Sequence, residues 1–417
     1  MGARISSHMA SISARIAWEP SVVRAFASFP GVFVRSSIAR LFDRRWMETL
    51  LPLILACLTF TTFAILVPHY LSVMNVQQLM RDFAEPGLVA VAMSITILAG
   101  GIDLSVGATF ALADFVALYL FRIQGLSPSV AIAGAVATGV AVGTLNGLLI
   151  AYVKARPFLT TLATLLILRA AFNLVSEAYT TELAIATNES AAWDFLGDGS
   201  ILGVPVNMLV LCAVGLASHV FLTRIRPGLH IMAVGASRKA ARHAGIDVRR
   251  SLLLAYILSG AIAALAGLLY AARQSAAGSD TALGFEVTAL AGVVAGGVSI
   301  GGGRGTVGRA ILGAALIFLL VSGLLRLNAS ASLASATIGL ILLLAGGLTA
   351  KWPQIRTRLT RAKHAPPGET TTNNRETTAV SGTPTRDRAV EVQESKFKSP
   401  SVWPSSTPAS DLVSPGR

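Results

Sequence analysis

The sequence predicts an all-α membrane protein, a polytopic helical bundle of about ten transmembrane helices with both termini in the cytoplasm. Hydrophobic residues make up 53% of the 417 residues and charged residues only 13%, which is more apolar surface than a water-soluble domain can bury. The apolar runs also have the length of a membrane-crossing helix, about 20 residues. The sequence has no series of ten-residue segments with alternating hydrophobicity, the pattern of a membrane β-barrel.

Charged and turn-forming residues divide the apolar region, residues 50–350, into candidate spans. The ten predicted spans are about 50–68, 86–100, 104–121, 129–153, 157–175, 204–223, 252–271, 286–300, 306–325 and 333–350. The stretch LSVMNVQQLMRDFAEPG (71–87) is too polar for a span, and it predicts a separate interfacial helix on the outer side.

The basic residues predict the orientation, because the cytoplasmic loops of membrane proteins collect Lys and Arg. Segment 224–250 contains seven basic residues and one acidic residue, whereas 176–203 contains five acidic residues and no Lys or Arg. The first segment is therefore predicted inside and the second outside. With the seven arginines of 1–49 also inside, five spans must precede 176–203, in agreement with the ten-span count.

The two ends differ in composition from the apolar region. Residues 1–49 lack the apolar core of a secretory signal and are predicted to be an Arg-rich cytoplasmic extension, with a mitochondrial transit peptide as the alternative. Residues 351–417, rich in Thr, Ser and Pro, are predicted to be a cytoplasmic and largely disordered tail. The net charge of +13 lies in loops and tails rather than on one helix face, so nucleic acid is not an expected partner. Cys57 and Cys212 lie within spans and predict neither a disulfide framework nor a metal site.

Two glycine-rich turns connect spans at the predicted cytoplasmic side: LAGGIDLSVGATF (98–110) and VAGGVSIGGGRGTVG (294–308). In the first turn Asp103 is placed to cap the third span, which predicts either a capped hairpin or a broken helix that forms part of a gate. The second turn lacks the Gly-Lys-Ser/Thr sequence of a P-loop, so no ATP site is expected in this chain. The candidate gate or turn glycines are Gly100, Gly101, Gly107, Gly296, Gly297, Gly302 and Gly303.

Polar residues inside spans are candidates for a solute pathway, and for each of them the alternative is an interhelical hydrogen bond. They are Asp103, Ser105, Asp114, Asn146, Thr160, Thr161, Thr164, Asn173 and Glu286. A carboxylate such as Asp114 deep in a span costs about 2.5–3.5 kcal/mol on insertion scales. We therefore expect Asp114 to face a cavity or a solute, to pair with Arg169, or to lie nearer the outer surface.

Four segments resemble the signature regions of one transporter family: GGIDLSVG (100–107) and segments 143–170, 229–251 and 285–314. They are similar to the permease subunits of bacterial monosaccharide ABC importers, the ribose, xylose and arabinose permease family. The resemblance implies a multi-pass protein of the bacterial inner membrane that moves a small polar solute, a monosaccharide, by alternating access. It implies no enzymatic activity and no cofactor in this chain. The chain departs from the family pattern at Ala170 and at Ala236-Ser237.

The resemblance also implies partners: a second permease copy in a homodimer, cytoplasmic ATP-binding subunits that hold ATP and Mg, a periplasmic or lipid-anchored solute-binding protein, and membrane lipid. It places an ATPase-coupling helix in the basic loop, where the alternative is a topology signal alone. The matching residues are Ser237, Arg238, Lys239, Ala240, Ala241, Arg242, Gly245 and Ile246. The alternative function is an ion-coupled secondary transporter, in which Asp114 would be the coupling carboxylate.

Overall fold

The computed structural model describes residues 44–186 and 188–344, and these are mostly helical. The helices are α1 (Arg44–Leu66), α2 (Val73–Leu98), α3 (Val106–Leu118), α4 (Pro128–Ala151), α5 (Pro157–Ala178), α6 (Thr180–Ile185), α7 (Ala191–Asp198), α8 (Val206–Arg224), α9 (Arg226–Ala236), α10 (Arg238–His243), α11 (Val248–Gln274), α12 (Phe285–Ala295), α13 (Val307–Arg326) and α14 (Ala331–Leu344). A π-helical turn, Tyr119–Ile123, extends α3. Within the described residues, β structure is confined to a hairpin of β1 (Ser200–Ile201) and β2 (Val204–Pro205).

In the described part of the chain, six helices are long and apolar enough to cross a membrane: α3 with its π-helical turn, α4, α5, α8, α11 and α13. Three shorter apolar helices are residues Leu50–Leu66 of α1, α12 and α14. The helical fold class is thus confirmed. Of the predicted extension 1–49 only residues 44–49 are described, and the tail 351–417 and the last residues of the tenth span, 345–350, lie outside the described residues.

Helix α2 differs from the prediction. Val73–Leu98 is one continuous helix that passes through Pro86, so the separate interfacial helix predicted at 71–87 is wrong. The charged residues of its first half are satisfied by distant parts of the chain. Arg81 donates from Nη2 to the carbonyl oxygen of Asp198 at 2.9 Å, and Arg273 of α11 pairs with two carboxylates of α2. Because these charges have partners, the polar first half of α2 can pack against the bundle as part of the same helix as its apolar second half.

Helix α11 is the central element, and it packs against α2, α3 and α4. It begins after Asp247, whose Oδ1 accepts hydrogen bonds from the backbone N–H groups of Arg249 and Arg250 at 3.0 and 3.1 Å. Glycines bring its backbone into contact with that of α4: a methyl group at Gly139 would overlap the carbonyl oxygen of Gly260. Small residues are the usual means of such close packing between membrane helices.

The short helix α7 is anchored to the bundle by one aromatic contact. Trp193 is 1% exposed and stacks on Phe121, with the ring centroids 4.2 Å apart. The π-helical turn that carries Phe121 also connects to residue Asn188, whose Nδ2 donates to the Phe121 carbonyl oxygen at 2.6 Å. These contacts fix the connection between α5 and α8 at the end of the bundle opposite α9 and α10.

Candidate coupling site and polar pathway

Helices α9 and α10 form the segment between α8 and α11, and α10 is predominantly basic. Ser237 caps α10, because its side chain accepts a hydrogen bond from the backbone N–H of Ala240 at 3.2 Å. Beyond the helix, Gly245 has φ +77°, a conformation that favours glycine. Ala241 is buried at 4% exposure, whereas the side chains of Arg238, Lys239, Ala240 and Arg242 are exposed. The predicted coupling residues thus lie in or directly beside one short helix, α10, whose basic side chains are exposed.

Gly100, Gly235, Gly302 and Gly303 meet in one place, which we call the glycine junction. Gly100 and Gly302 have φ +81° and +84°. A methyl group at Gly302 would lie 2.7 Å from the Gly235 carbonyl oxygen and 2.8 Å from the Gly100 Cα, and one at Gly235 would overlap the Leu98 carbonyl oxygen. The two glycine-rich turns and the end of α9 are therefore in direct backbone contact.

Hydrogen bonds hold the glycine junction together. The Gly303 N–H donates to the carbonyl oxygen of Leu98 at 3.0 Å. Arg238 donates from Nη2 to the carbonyl oxygen of Gly100 at 3.2 Å. The basic helix is thus attached to the turn between α2 and α3 by one of its own charged side chains.

The other predicted turn glycines have separate contacts. The carbonyl oxygens of Gly296 and Gly297 accept hydrogen bonds from the Arg309 guanidinium. A methyl group at Gly101 would overlap the Tyr256 hydroxyl, and one at Gly107 would overlap Oε2 of Glu286.

Asp103, Ser105, Asn146, Thr164 and Ser259 form a buried polar network between the 99–105 turn and helices α4, α5 and α11. Asp103 accepts at Oδ1 from the Ser105 N–H and hydroxyl, at 3.1 and 2.6 Å, and at Oδ2 from the Ser259 hydroxyl at 2.9 Å. Asn146 donates to Ser105 Oγ at 2.9 Å and accepts from the Thr164 hydroxyl at 2.6 Å. Four predicted pathway residues are thus in one hydrogen-bonded set.

The network bears out part of the predicted cap. Helix α3 begins at Val106 after Ser105, whose own side chain makes no capping bond, and the Asp103 carboxylate accepts the backbone N–H of Ser105 immediately before the helix. Asp103 is only 1% exposed, so its carboxylate needs partners within the protein. The hydroxyls of Ser105 and Ser259 supply them.

The two remaining threonine candidates differ in the range of their contacts. Thr161 donates to the carbonyl oxygen of Ile102 at 3.1 Å, which joins α5 to the same turn. Thr160 donates to the carbonyl oxygen of Arg156 one helical turn earlier, at 3.0 Å. Within the described residues, Thr160 therefore has no interhelical bond of its own.

Asp114 is fully buried on α3, and neither carboxyl oxygen has a hydrogen-bond partner among the described residues. The predicted alternative of a pair with Arg169 is wrong. Arg169 instead donates to the carbonyl oxygens of Thr281 and Ala282 at 2.7 and 3.2 Å. Those bonds connect α5 to the segment before α12. The Arg169 guanidinium therefore binds two backbone carbonyl oxygens and not the Asp114 carboxylate.

Two more candidates each have a buried side-chain oxygen with no hydrogen-bond partner among the described residues. They are Oε2 of Glu286 on α12 and Oδ1 of Asn173 on α5. Glu286 lies against Gly107 of α3. Free acceptors on three helices are the kind of group that could receive a polyhydroxy solute.

Several residues of this region were not identified from the sequence. Gly235 and Ser259 are single small residues in apolar helices, and no local pattern distinguishes them. Arg273 and Glu85 form a buried ion pair between α11 and α2, with Nε and Oε1 2.9 Å apart and the side chains 10% and 2% exposed. Glu85 precedes Pro86 in a segment predicted to lie at the interface, which concealed its burial.

Comparison with known proteins adds independent information. The family model for the branched-chain amino acid transport system / permease component matches residues 75–346. The ribose import permease protein of Escherichia coli (strain K12) is 32% identical over 309 residues, which cover 73% of this chain and 95% of the relative. The ribose import permease protein of Bacillus subtilis (strain 168) is 34% identical, over 68% of this chain and 86% of the relative.

A third relative is the D-allose transport system permease protein of Escherichia coli (strain K12). It is 34% identical over 266 residues, which cover 63% of this chain and 79% of the relative. No solved structure matches the chain. The matched region contains the glycine junction, the basic helix and the buried polar network.

Proposed function

Because this chain belongs to the branched-chain amino acid transport system / permease component family, we propose that it is the membrane-spanning subunit of an ATP-driven importer. The solute is a monosaccharide, in keeping with the ribose and D-allose permeases to which the chain is similar. It crosses the bacterial inner membrane by alternating access, and no bond of the solute is broken. ATP and Mg are held by separate cytoplasmic subunits.

One observation carries the mechanism: the exposed basic helix α10 is attached to the glycine junction. A partner that binds α10 can displace Arg238 and Gly235, and both contact the turn between α2 and α3. An ATPase that binds α10 differently in its two nucleotide states would therefore bias two arrangements of the turns. Ser237, Lys239 and Arg242 would supply the contact surface.

Proteoliposomes test this function. The chain is reconstituted with an ATPase subunit and a solute-binding protein of the same organism, and uptake of radiolabelled ribose and D-allose is measured with and without ATP. We expect uphill uptake of at least one of the two sugars. This uptake should require ATP and should be abolished by an inactive ATPase. An ionophore that collapses the proton gradient should leave it unchanged.

The same assay addresses the ion-coupled alternative. Uphill uptake by vesicles that contain this chain alone, lost on addition of the ionophore, would contradict the proposal and would favour an ion-coupled transporter that uses Asp114. The family relationship favours the ATP-driven importer.

We further propose ten spans with both termini cytoplasmic. The six long apolar helices, the three shorter ones and α2 support this count, and the basic segment 224–250 supports the orientation. Single cysteines at Glu189 and Lys239, in a chain with Cys57 and Cys212 replaced by Ser, provide the test. A membrane-impermeant thiol reagent applied to intact spheroplasts should label the first cysteine and not the second, and the reverse pattern would contradict the orientation.

The proposed solute contacts are the unpartnered buried oxygens of Asp114, Asn173 and Glu286. The proposed role of the buried polar network is to position the 99–105 turn. Glu286 and Asn173 each have a buried oxygen available for a sugar hydroxyl, and Asp114 has two. Glu286→Gln and Asn173→Leu should raise the KM for uptake without altering the purified protein's thermal unfolding. An unchanged KM in both variants would contradict the assignment.

The proposed assembly contains a second copy of this chain, the ATP-binding subunits and a periplasmic or lipid-anchored solute-binding protein. Helix α5 supports a further partner surface, because Leu166, Ile167 and Leu174 are 63–71% exposed. Lipid or the second copy must cover these side chains. Crosslinking through cysteines at these positions would distinguish the two.

A further inference from the structure

A cavity of about 680 Å³ lies beside α10, where α4 ends and α11 begins. Its charged lining residues are Lys154, Arg238, Arg242, Arg249 and Asp247. Four basic side chains therefore surround one space, against a single carboxylate. Arg238 and Arg242 belong to α10, but the proposed transport mechanism assigns no role to Lys154, to Arg249 or to the space between them.

One carboxylate does not neutralise four basic side chains, and Asp247 is itself paired with a basic residue outside the cavity. Oδ1 of Asp247 caps α11. Oδ2 pairs with Nε of Arg250 at 3.1 Å, and Arg250 is not among the cavity's lining residues. The local charge of the lining is therefore strongly positive.

The basic side chains have few partners within the described chain. Arg249 lies over the ring of Tyr152, 5.8 Å from its centroid, and Arg238 uses one nitrogen for the Gly100 carbonyl oxygen. For Lys154 and Arg242 the described residues provide neither a hydrogen bond nor an ion pair. Such a group of cations in a concave space is suited to an anion with several acceptor oxygens.

The rest of the lining indicates which anion. Ile150 and Leu252, at the ends of two helices that extend through the bundle, contribute apolar wall. Tyr152 and Val153, directly after α4, are 45% and 69% exposed. An aromatic and an apolar side chain exposed at the end of a spanning helix are typical of the membrane interface.

We propose that this cavity binds the headgroup phosphate of an anionic phospholipid from the cytoplasmic leaflet. The basic side chains hold the phosphate, and the apolar wall contacts the glycerol and the first carbons of the acyl chains. The inference uses the proposed cytoplasmic placement of 224–250, but it does not require the chain to transport a sugar.

The site has a consequence for α10. Arg238 lines the cavity and also bonds to the Gly100 carbonyl oxygen. A bound phosphate would fix Arg238 and Arg242 from the side that faces α4. The lipid therefore stabilises one position of the basic helix relative to the glycine junction.

The test compares two double variants that each remove two positive charges. Lys154→Gln/Arg249→Gln alters the cavity without changing α10, and Arg224→Gln/Arg226→Gln alters the same basic region outside the cavity. Each purified full-length protein in neutral detergent is titrated with phosphatidylglycerol and, separately, with phosphatidylcholine, and bound lipid is counted by native mass spectrometry. We expect about 30-fold weaker binding of phosphatidylglycerol to the cavity variant, because each basic residue near an anionic lipid contributes about fivefold. The control variant should bind like the original protein, and phosphatidylcholine should bind weakly to all three.

Three results would overturn the proposal. Equal losses in the two variants would indicate diffuse attraction rather than a site. Displacement of the lipid by an equal concentration of inorganic phosphate would make the occupant a soluble anion. Unchanged lipid binding with lost ATPase binding in the cavity variant would make the cavity part of the protein interface. Thermal unfolding of each variant verifies that it is folded, and none of these readouts depends on sugar uptake.

Discussion

Arg238 of α10 and Gly100 of the turn after α2 are 138 positions apart in the sequence, yet the Arg238 Nη2 donates to the Gly100 carbonyl oxygen at 3.2 Å. Beside this bond, Gly235 lies against the Leu98 backbone. The buried turn is therefore in contact with a side chain of α10 and with the backbone of α9 just before it. Movement of either helix requires adjustment of the turn.

Gly235→Ala tests the backbone part of this contact. The added methyl group overlaps the Leu98 carbonyl oxygen, so α9 must shift away from α2. We expect the free energy of unfolding to fall by about 1–3 kcal/mol, as for other overpacked sites, and ATP-dependent uptake to fall with it. Thermal unfolding in detergent and proteoliposome uptake are the measurements. Gly308→Ala is the control, because no atom lies within 4 Å of a methyl group there; similar behaviour of the two variants would count against the junction.

Arg242→Glu tests the partner surface of α10. Arg242 is exposed, so reversal of its charge should leave the unfolding temperature unchanged. We expect about tenfold weaker binding of the ATPase, because electrostatic complementarity across the interface is lost. Surface plasmon resonance with the ATPase subunit immobilised measures the dissociation constant of each variant. Arg226→Glu, an exposed position on α9, is the matched control, and an equal loss there would mean that α10 has no specific role.

Asn146→Leu tests the buried polar network. The substitution leaves the Thr164 hydroxyl and the Ser105 hydroxyl without their Asn146 bonds. We expect a loss of about 1–3 kcal/mol in the free energy of unfolding. Thr164→Val should cost less, and the double variant should lose less than the sum of the two because the residues share one bond. Denaturant titrations of the four proteins give the comparison, and strict additivity would contradict a direct interaction.

Arg273→Met tests the buried ion pair. It leaves Glu85, whose side chain is 2% exposed, without its countercharge, and we expect a loss of about 3–5 kcal/mol. Adding Glu85→Gln should recover part of the loss, because the uncompensated charge is removed. Arg250→Met is the exposed comparison: its pair with Asp247 is 83% and 51% exposed, and its removal should change stability by about 1 kcal/mol or less. Comparable losses at both sites would refute the argument from burial.

The apolar helices could be predicted from the sequence because burial in a bilayer leaves a strong local pattern. The seventh span, predicted at 252–271, is α11, and its true start at Val248 follows from the Asp247 cap. The short basic helix was also predictable, because Ala240 and Ala241 favour helix and Gly245 ends it. In both cases neighbouring residues contain the signal.

Helix α2 could not be predicted correctly, because its charges are compensated from elsewhere in the chain. Glu85 pairs with a residue 188 positions away. A hydropathy pattern contains no information about that partner, so it predicts an exposed carboxylate. The glycine junction was only half identified for a similar reason. Gly235 is a single glycine in an apolar helix, and its importance depends on which backbone lies opposite it.

The absence of side chains between α4 and α11 at Gly139 and Gly260 restricts how this bundle can deform. Sliding either helix along the other would drive a neighbouring side chain into a backbone, and separating them would open an interior void. We expect the pair to move as one rigid body. The displacement that exposes a solute first to one aqueous compartment and then to the other would then belong to the helices arranged around this fixed axis.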